Sequence, residues 1–391
     1  MESSAFLHLT LVCLGAYIMP FISRRLMLPT AVGELFCGML IGTLLLGGVE
    51  IADNAPIRIL SAIGFLLLMY IAGLELDIDR MLSLKKRELW AFGLYAVLLV
   101  SGACVAATIF NMPKFFTLII MTTAIGLLFS VMKDVDIVKT KLGQILILIG
   151  AVGEVLTLAG ITIVSVVSLP GTSDLKLRYI AGVFIFLMIV ILVLKFMNLL
   201  MWWYPEMKEF IMTVGNPSEI GIRANLCNMF VFVTIASFVH IEPILGAFLG
   251  GMIFARIFPD REKVLERLSS FGYGFLIPLF FIEVGTRFKF SDFLNPEVLK
   301  GAILTSIAIL IVRFVAATPM LLLNLPRRQL IYIPFSQSSA LTLLVAGATL
   351  GASLGLINRT QTSIIILTAI VTAIIYPWII KILIKSIPVN E

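Results

Sequence analysis

The feature that most constrains this chain is a recurrence of apolar runs too long to be β-strands. Residues 5–22 contain no Asp, Glu, Lys or Arg, and neither do residues 179–194. A helix needs about 20 apolar residues to cross a bilayer, whereas a barrel strand alternates over about ten. A water-soluble domain carries about a quarter of its residues as charges; here the share is 13%, against 60% hydrophobic. An all-α integral membrane protein is expected, a single membrane domain over residues 1–391 surrounded by lipid, with no soluble domain before or after it.

Hydropathy places spans near residues 5–22, 31–47, 58–76, 89–110, 115–132, 143–168, 178–200, 219–239, 244–257, 269–286, 299–323, 330–350 and 361–386, about thirteen in all. The fifth and the twelfth are interrupted by polar or glycine-rich centres. The first is read as a retained span, because it lacks a basic leader and is followed by Arg24 and Arg25. With the N-terminus outside, the cytoplasmic connections hold the large majority of Lys and Arg. The positive-inside rule therefore favours an outside N-terminus and a cytoplasmic C-terminus, in the cytoplasmic (inner) membrane. That asymmetry accounts for the net charge of +6, so no nucleic acid partner is implied. Cys13, Cys37, Cys104 and Cys227 lie in apolar segments without CxxC spacing, and His8 and His240 are far apart, so neither a metal site nor a disulfide is expected.

The chain also repeats itself. "LPTAVGELFCGMLIG" (28–42) resembles "EPILGAFLGGMIFAR" (242–256), and "FLLLMYIAGLELD" (65–77) resembles "FLIPLFFIEVGTRFK" (275–289). Both pairs lie seven spans apart, and an odd offset reverses the orientation. Two inverted-topology repeats are expected, about 1–170 and 219–391, linked by the span at 178–200. Repeats of this kind build secondary transporters, with binding near the midplane at the repeat interface.

Few ionisable residues lie deep in the spans. Glu154 sits in "IGAVGEVLTLAG" (149–160), where a carboxylate costs on the order of 3 kcal/mol or more unless something offsets it. Arg313, in "ILIVRFVAATP" (309–319), is near the middle of the eleventh span. A Glu154–Arg313 pair would offset the cost. A permanent structural pair is one reading, although apolar packing would join two helices at less cost. The other is functional, since intramembrane carboxylates mark ion and proton pathways. Arginine keeps its proton, so Arg313 can be the ion-pair partner but not the proton carrier. Glu154 can be both. Protonated, it is neutral; deprotonated, it accepts the guanidinium or a desolvated monovalent cation, and competition between proton and cation yields exchange.

The interrupted spans would supply further ligands. "MTTAIGLLFS" (121–130) carries Thr122 and Thr123, and "PFSQSSALTLLVAGATLG" (334–351) carries Gln337, Ser338 and Ser339. Unwound backbone at such depth is tolerated where it lines a cavity, and its carbonyls can then coordinate ions. The alternative is hydroxyls bonding back to their own helix. Glu34 and Glu75 lie near span ends and are read as interfacial. Glu283, deeper in "FFIEVGT", is either a second ion-handling carboxylate or the partner of Arg223 or Arg287.

Five segments in sequence, "LPTAVGELFCGMLIG", "FLLLMYIAGLELD", "VKTKLGQILILIGAVGEVL", "ILGAFLGGMIFA" and "FLIPLFFIEVGTRF", are similar to recurring segments of the bacterial monovalent cation/proton antiporters. These include Nap-type sodium/proton antiporters and Kef-type potassium efflux systems, and the resemblance covers nearly the whole chain. It implies a thirteen-helix fold. A core domain of spans four to six and eleven to thirteen, with crossed broken helices in spans five and twelve, moves elevator-like against a panel domain that forms a homodimer. It also implies that Glu154 stands at the ion-binding aspartate, Arg313 at the basic residue opposite, and Thr123-Ala124 at the unwound stretch of span five.

Where the family has Asp-Asp, Asn-Asp or Gln-Asp, this chain has Gly153-Glu154. A single carboxylate predicts electroneutral one-for-one exchange, which a charge on Glu283 would upset. The expected function is thus a secondary antiporter, not an enzyme. It exchanges Na⁺ or K⁺ for H⁺ at a site of Glu154, Thr123, Ala124, Ser338 and Ser339, with no cofactor beyond the transported ions. A Kef-type system carries a cytoplasmic nucleotide-binding domain; such gating is expected here to be absent or supplied by a separate cytoplasmic regulatory subunit. The alternative is a non-transporting sensor or regulatory subunit in which Glu154 and Arg313 form a structural pair. An intramembrane enzyme is disfavoured, for the spans hold no paired-carboxylate, His-Glu or Ser-His constellation.

Overall fold

The computed structural model describes residues 2–26, 28–45, 54–76, 83–124, 132, 137, 140–168, 173–204, 206, 219–239, 241–258, 262–288, 295–323 and 325–386. Among these the secondary structure is helical throughout. Ten helices are long and apolar enough to cross a membrane, and two shorter apolar ones, Thr30–Thr43 and Pro243–Ile257, accompany them. Large apolar side chains face outward, among them Phe184, Met188, Ile191 and Leu192. In water such a surface would aggregate; in lipid it is the expected one. The protein is a multi-pass membrane protein.

Its residues fall into two compact units, one of residues 1–82 and 162–288, the other of residues 83–161 and 289–391. The first unit contains α1 (Glu2–Arg25), α2 (Thr30–Leu40), α3 (Ala55–Glu75), α7 (Ser173–Trp203), α8 (Ile220–Phe238), α9 (Pro243–Ile257), α10 (Glu262–Phe271) and α11 (Ile277–Thr286). A π-turn, Gly272–Leu276, joins α10 to α11 just ahead of Pro278. Proline has no N–H for the ladder, and the local widening accommodates the missing bond.

Paired glycines make two of the backbone-to-backbone crossings in this unit. Where α3 meets α9, a Cβ on Gly73 would strike the Phe248 carbonyl, and one on Gly251 would strike the Tyr70 carbonyl. Where α2 meets α11, Gly38 and Gly285 stand in the same relation to the Ile282 and Leu35 carbonyls. Apolar solvent gives no hydrophobic drive between helices, so close approach through glycine supplies the packing instead. One buried polar cluster adds to it. Tyr70 Oη donates to Asn225 Oδ1 (2.9 Å), and Asn228 Nδ2 donates both to Tyr70 Oη (3.0 Å) and to the Gly250 carbonyl (2.8 Å).

The second unit contains α4 (Lys86–Ile109), α5 (Phe115–Met121), most of α6 (Lys141–Ser168), α12 (Pro296–Ala316), α13 (Tyr332–Gln337), α14 (Leu341–Ser353) and α15 (Arg359–Ser386). Short 3₁₀ segments, Thr318–Leu323 and Arg327–Ile331, precede α13. Asn295 starts α12 by accepting a bond from Glu297 N, with Pro296 at its first position. The sequence predicts interruptions in the fifth and twelfth spans, and the backbone is non-helical at 122–124 and at 339–340. Residues 125–131 of the fifth span, which include Gly126 and Ser130, lie outside the described residues.

Candidate functional site

Both interruptions and the carboxylate helix belong to the second unit, and hydrogen bonds tie them together. Glu154, on α6, is 1% exposed, and Arg313, on α12, is 0% exposed. The guanidinium of Arg313 donates through Nη2 to the carbonyls of Met121 (3.0 Å) and Thr122 (2.7 Å), where α5 stops. Through Nε it donates to the carbonyl of Gln337 (3.2 Å), the last residue of α13. The carbonyls at a helix end lack an intrahelical donor and carry the negative end of its dipole. One cation therefore caps two helix ends at once. Its Nη1 has no hydrogen-bond partner among the described residues.

The interruption after α13 reaches the carboxylate helix directly, for Gln337 Nε2 donates to the Leu146 carbonyl on α6 (3.0 Å). The interruption after α5 reaches it through a hydroxyl. Thr123 N donates to Thr157 Oγ1 (3.0 Å), and that hydroxyl donates to the Gly153 carbonyl (2.8 Å), one residue before Glu154. Thr123 and Ala124 are both buried.

The polar side chains at the breaks divide into two sets. Thr122, Ser336 and Ser338 bond back to carbonyls of their own helices, at Leu118 (2.7 Å), Ile333 (2.9 Å) and Pro334 (2.6 Å). Ser339 Oγ and Gln337 Oε1, in contrast, are buried with no hydrogen-bond partner among the described residues. Buried oxygens of that kind are costly, and oxygens are the donors a small hard cation takes. Of the sequence-predicted ligands, Ser339 thus keeps its full bonding capacity, and Ser338 has its hydroxyl proton engaged.

Glu283 lies in the other unit, 3% exposed on α11. Arg287, four residues on, forms an ion pair with it and donates from Nε to its Oε1 (2.8 Å), while Ser61 Oγ donates to its Oε2 (3.3 Å). Of the two arginines considered for it, Arg287 is therefore the partner. Glu34, read from sequence as interfacial, is only 4% exposed on α2.

Two participants escape a reading of the sequence. Thr157 looks like an ordinary β-branched residue in a membrane helix, although its place one turn after Gly153 puts both on one face. Tyr95, on α4, is 0% exposed. Its hydroxyl lies beside the Thr123 side chain and close to the Arg313 charge without meeting hydrogen-bond geometry to either. No local signal marks which face of α4 meets the break.

Comparison with known proteins agrees with this architecture. YjbQ of Bacillus subtilis (strain 168) is 28% identical over 98% of this chain, which spans 64% of that relative's length. The Na⁺/H⁺-K⁺ antiporter GerN of Bacillus cereus is 24% identical over 97% of this chain and 96% of its own. The solved structure of the sodium proton antiporter MjNhaP1 from Methanocaldococcus jannaschii superposes with a TM-score of 0.67, covering 100% of both chains at 17% identity. A likeness at that identity speaks for the fold. The model of the transmembrane sodium/hydrogen exchanger family matches residues 10–386, nearly the whole chain, and the chain belongs to that family.

Proposed function

We propose that this protein is a secondary antiporter that exchanges a monovalent cation, Na⁺ or K⁺, for H⁺, with Glu154 as the site the two ions share. The observation that carries the reading is the gathering of Glu154's helix and two interrupted helices in one unit. They are joined by bonds from Arg313, Gln337 and Thr157. An arginine can cap broken helix ends but cannot deliver a proton; a carboxylate can be protonated or hold a cation. Arg313 then serves as the fixed positive charge that Glu154 pairs with when neither ion is bound. Thr123, Ala124, Ser338 and Ser339 contribute oxygens from the unwound stretches. The names of relatives such as GerN support both Na⁺ and K⁺ as candidates.

One carboxylate makes the exchange electroneutral, one cation for one proton. The paired glycine crossings of the first unit support the two inverted repeats, because the segments that resemble each other contribute one glycine apiece to the two crossings. The division into two units supports an elevator-like movement, in thirteen spans with an outside N-terminus, a cytoplasmic C-terminus and a homodimeric assembly in the cytoplasmic membrane. The reading is tested with the purified protein in liposomes that enclose a pH-sensitive dye, under an imposed pH gradient. Addition of Na⁺ or K⁺ is expected to dissipate the gradient. No response to Li⁺, Na⁺, K⁺ or Rb⁺ would contradict it and favour a non-transporting sensor built around a structural Glu154–Arg313 pair.

A further inference from the structure

The residue before Glu154 is a glycine for a steric reason. A Cβ at Gly153 would lie 2.7 Å from both Cβ and Oγ1 of Thr123, and 3.0 Å from its Cγ2. A threonine Cβ is fixed to its backbone and cannot swing aside, so any side chain at 153 would push the whole interrupted segment away from α6. The Thr123 side chain therefore fills a notch in α6 immediately before the carboxylate. Hydrogen bonds lock the same spot, from Thr123 N to Thr157 Oγ1 and from Thr157 Oγ1 to the Gly153 carbonyl. Thr123 Oγ1 itself donates to the Met121 carbonyl (3.3 Å). Two turns further along α6, Gly160 receives Met121 Cε and Leu118 Cδ1, at 2.8 and 2.9 Å from where its Cβ would be. The end of α5 is thus seated on α6 at two glycines, and the first of them adjoins Glu154.

We infer that the Gly153–Thr123 notch, clipped by Thr157, is the positioning device that sets the cation preference of the Glu154 site. It fixes the distance between the carboxylate helix and the unwound oxygens of residues 122–124. Cations of equal charge differ in size and so in the ligand spacing they favour, and a spacing held by steric contact discriminates where a flexible one does not. This rests on the reading of Glu154 as a shared ion site. Residue 153 is then the point at which a side chain would loosen discrimination without touching the carboxylate.

The test is a double-mutant cycle on the full chain in proteoliposomes, reading apparent KM for Na⁺ and K⁺ at fixed pH. Gly153→Ala is expected to change the ratio of the two KM values by about tenfold, the size of coupling that contacting residues show. Combining it with Thr123→Gly, which keeps the unwound backbone carbonyl at 123 and lets the alanine methyl take the vacated space, is expected to bring the ratio back to within about threefold of wild type. Thr157→Val keeps the shape and removes both hydrogen bonds; it should move the ratio in the same direction as Gly153→Ala, and it carries the test where Gly153→Ala fails to fold. Exchange by the wild type with an unchanged ratio in these variants would overturn the inference, as would a uniform fall in turnover without rescue by the double variant. An absence of exchange in the wild type would instead contradict the antiporter reading beneath it.

Discussion

Glu154 and Glu283 are both carboxylates buried in membrane helices, and the two units of the molecule accommodate them differently. Glu283 is provided for locally: Arg287 stands four residues on in the sequence, and Ser61 donates to its other oxygen. On α6 the only other charge is Lys141, more than three turns away at 3.6 residues per turn, so no ion pair within one turn is available to Glu154. The charge proposed to pair with it, Arg313, comes from a helix far along the chain and bonds to the ends of two broken helices. Under the proposed function, Glu283, matched by a neighbour four residues on, is a fixed structural element, whereas Glu154, on a helix bonded to two interrupted ones, changes partners.

Removal of Arg313 should sharpen that contrast most. Arg313→Ala leaves the carbonyls of Met121, Thr122 and Gln337 without their donor. It is expected to cost about 3–5 kcal/mol and to abolish exchange, read as a large fall in melting temperature in detergent together with a flat pH-dye trace. Arg313→Lys keeps the charge but not the planar fork, and should fall between the two.

Disturbing the other carboxylate should do much less. Glu283→Gln exchanges a charge-assisted bond for a neutral one and is expected to lower stability by about 1–2 kcal/mol while cation-driven exchange persists. Loss of exchange at normal stability would break the comparison, because it would assign Glu283 to ion handling. Tyr95→Phe should have the smallest effect. The hydroxyl it removes has no hydrogen-bond partner among the described residues, so stability should stay within about 0.5 kcal/mol of wild type in the same melt.

The positions of the ten long apolar helices, of the two shorter ones and of both breaks are legible in the sequence, because hydropathy and glycine placement are local signals. "MTTAIG" and "SQSSA" each mark a break that the backbone makes, at 122–124 and 339–340. The partner of Glu283 is half legible: i,i+4 spacing favours Arg287, yet Arg223 is equally basic. The binding of Arg313 is not legible, since its acceptors are backbone carbonyls and every residue has one. Nor is the reason for Gly153. A missing side chain acquires meaning only when Thr123, thirty residues earlier, is seen to occupy its place. Glu34 misleads because nearness to a span end in sequence says nothing of what packs over it.

The most direct test places the two carboxylates in one assay. Wild type, Glu154→Gln and Glu283→Gln, each shown to fold by size exclusion and thermal melting, are reconstituted under the same imposed pH gradient and given Na⁺ or K⁺. The expected result is dissipation by wild type and Glu283→Gln and none by a stably folded Glu154→Gln. Exchange by Glu154→Gln at the wild-type rate would contradict the assignment of the shared proton and cation site to Glu154.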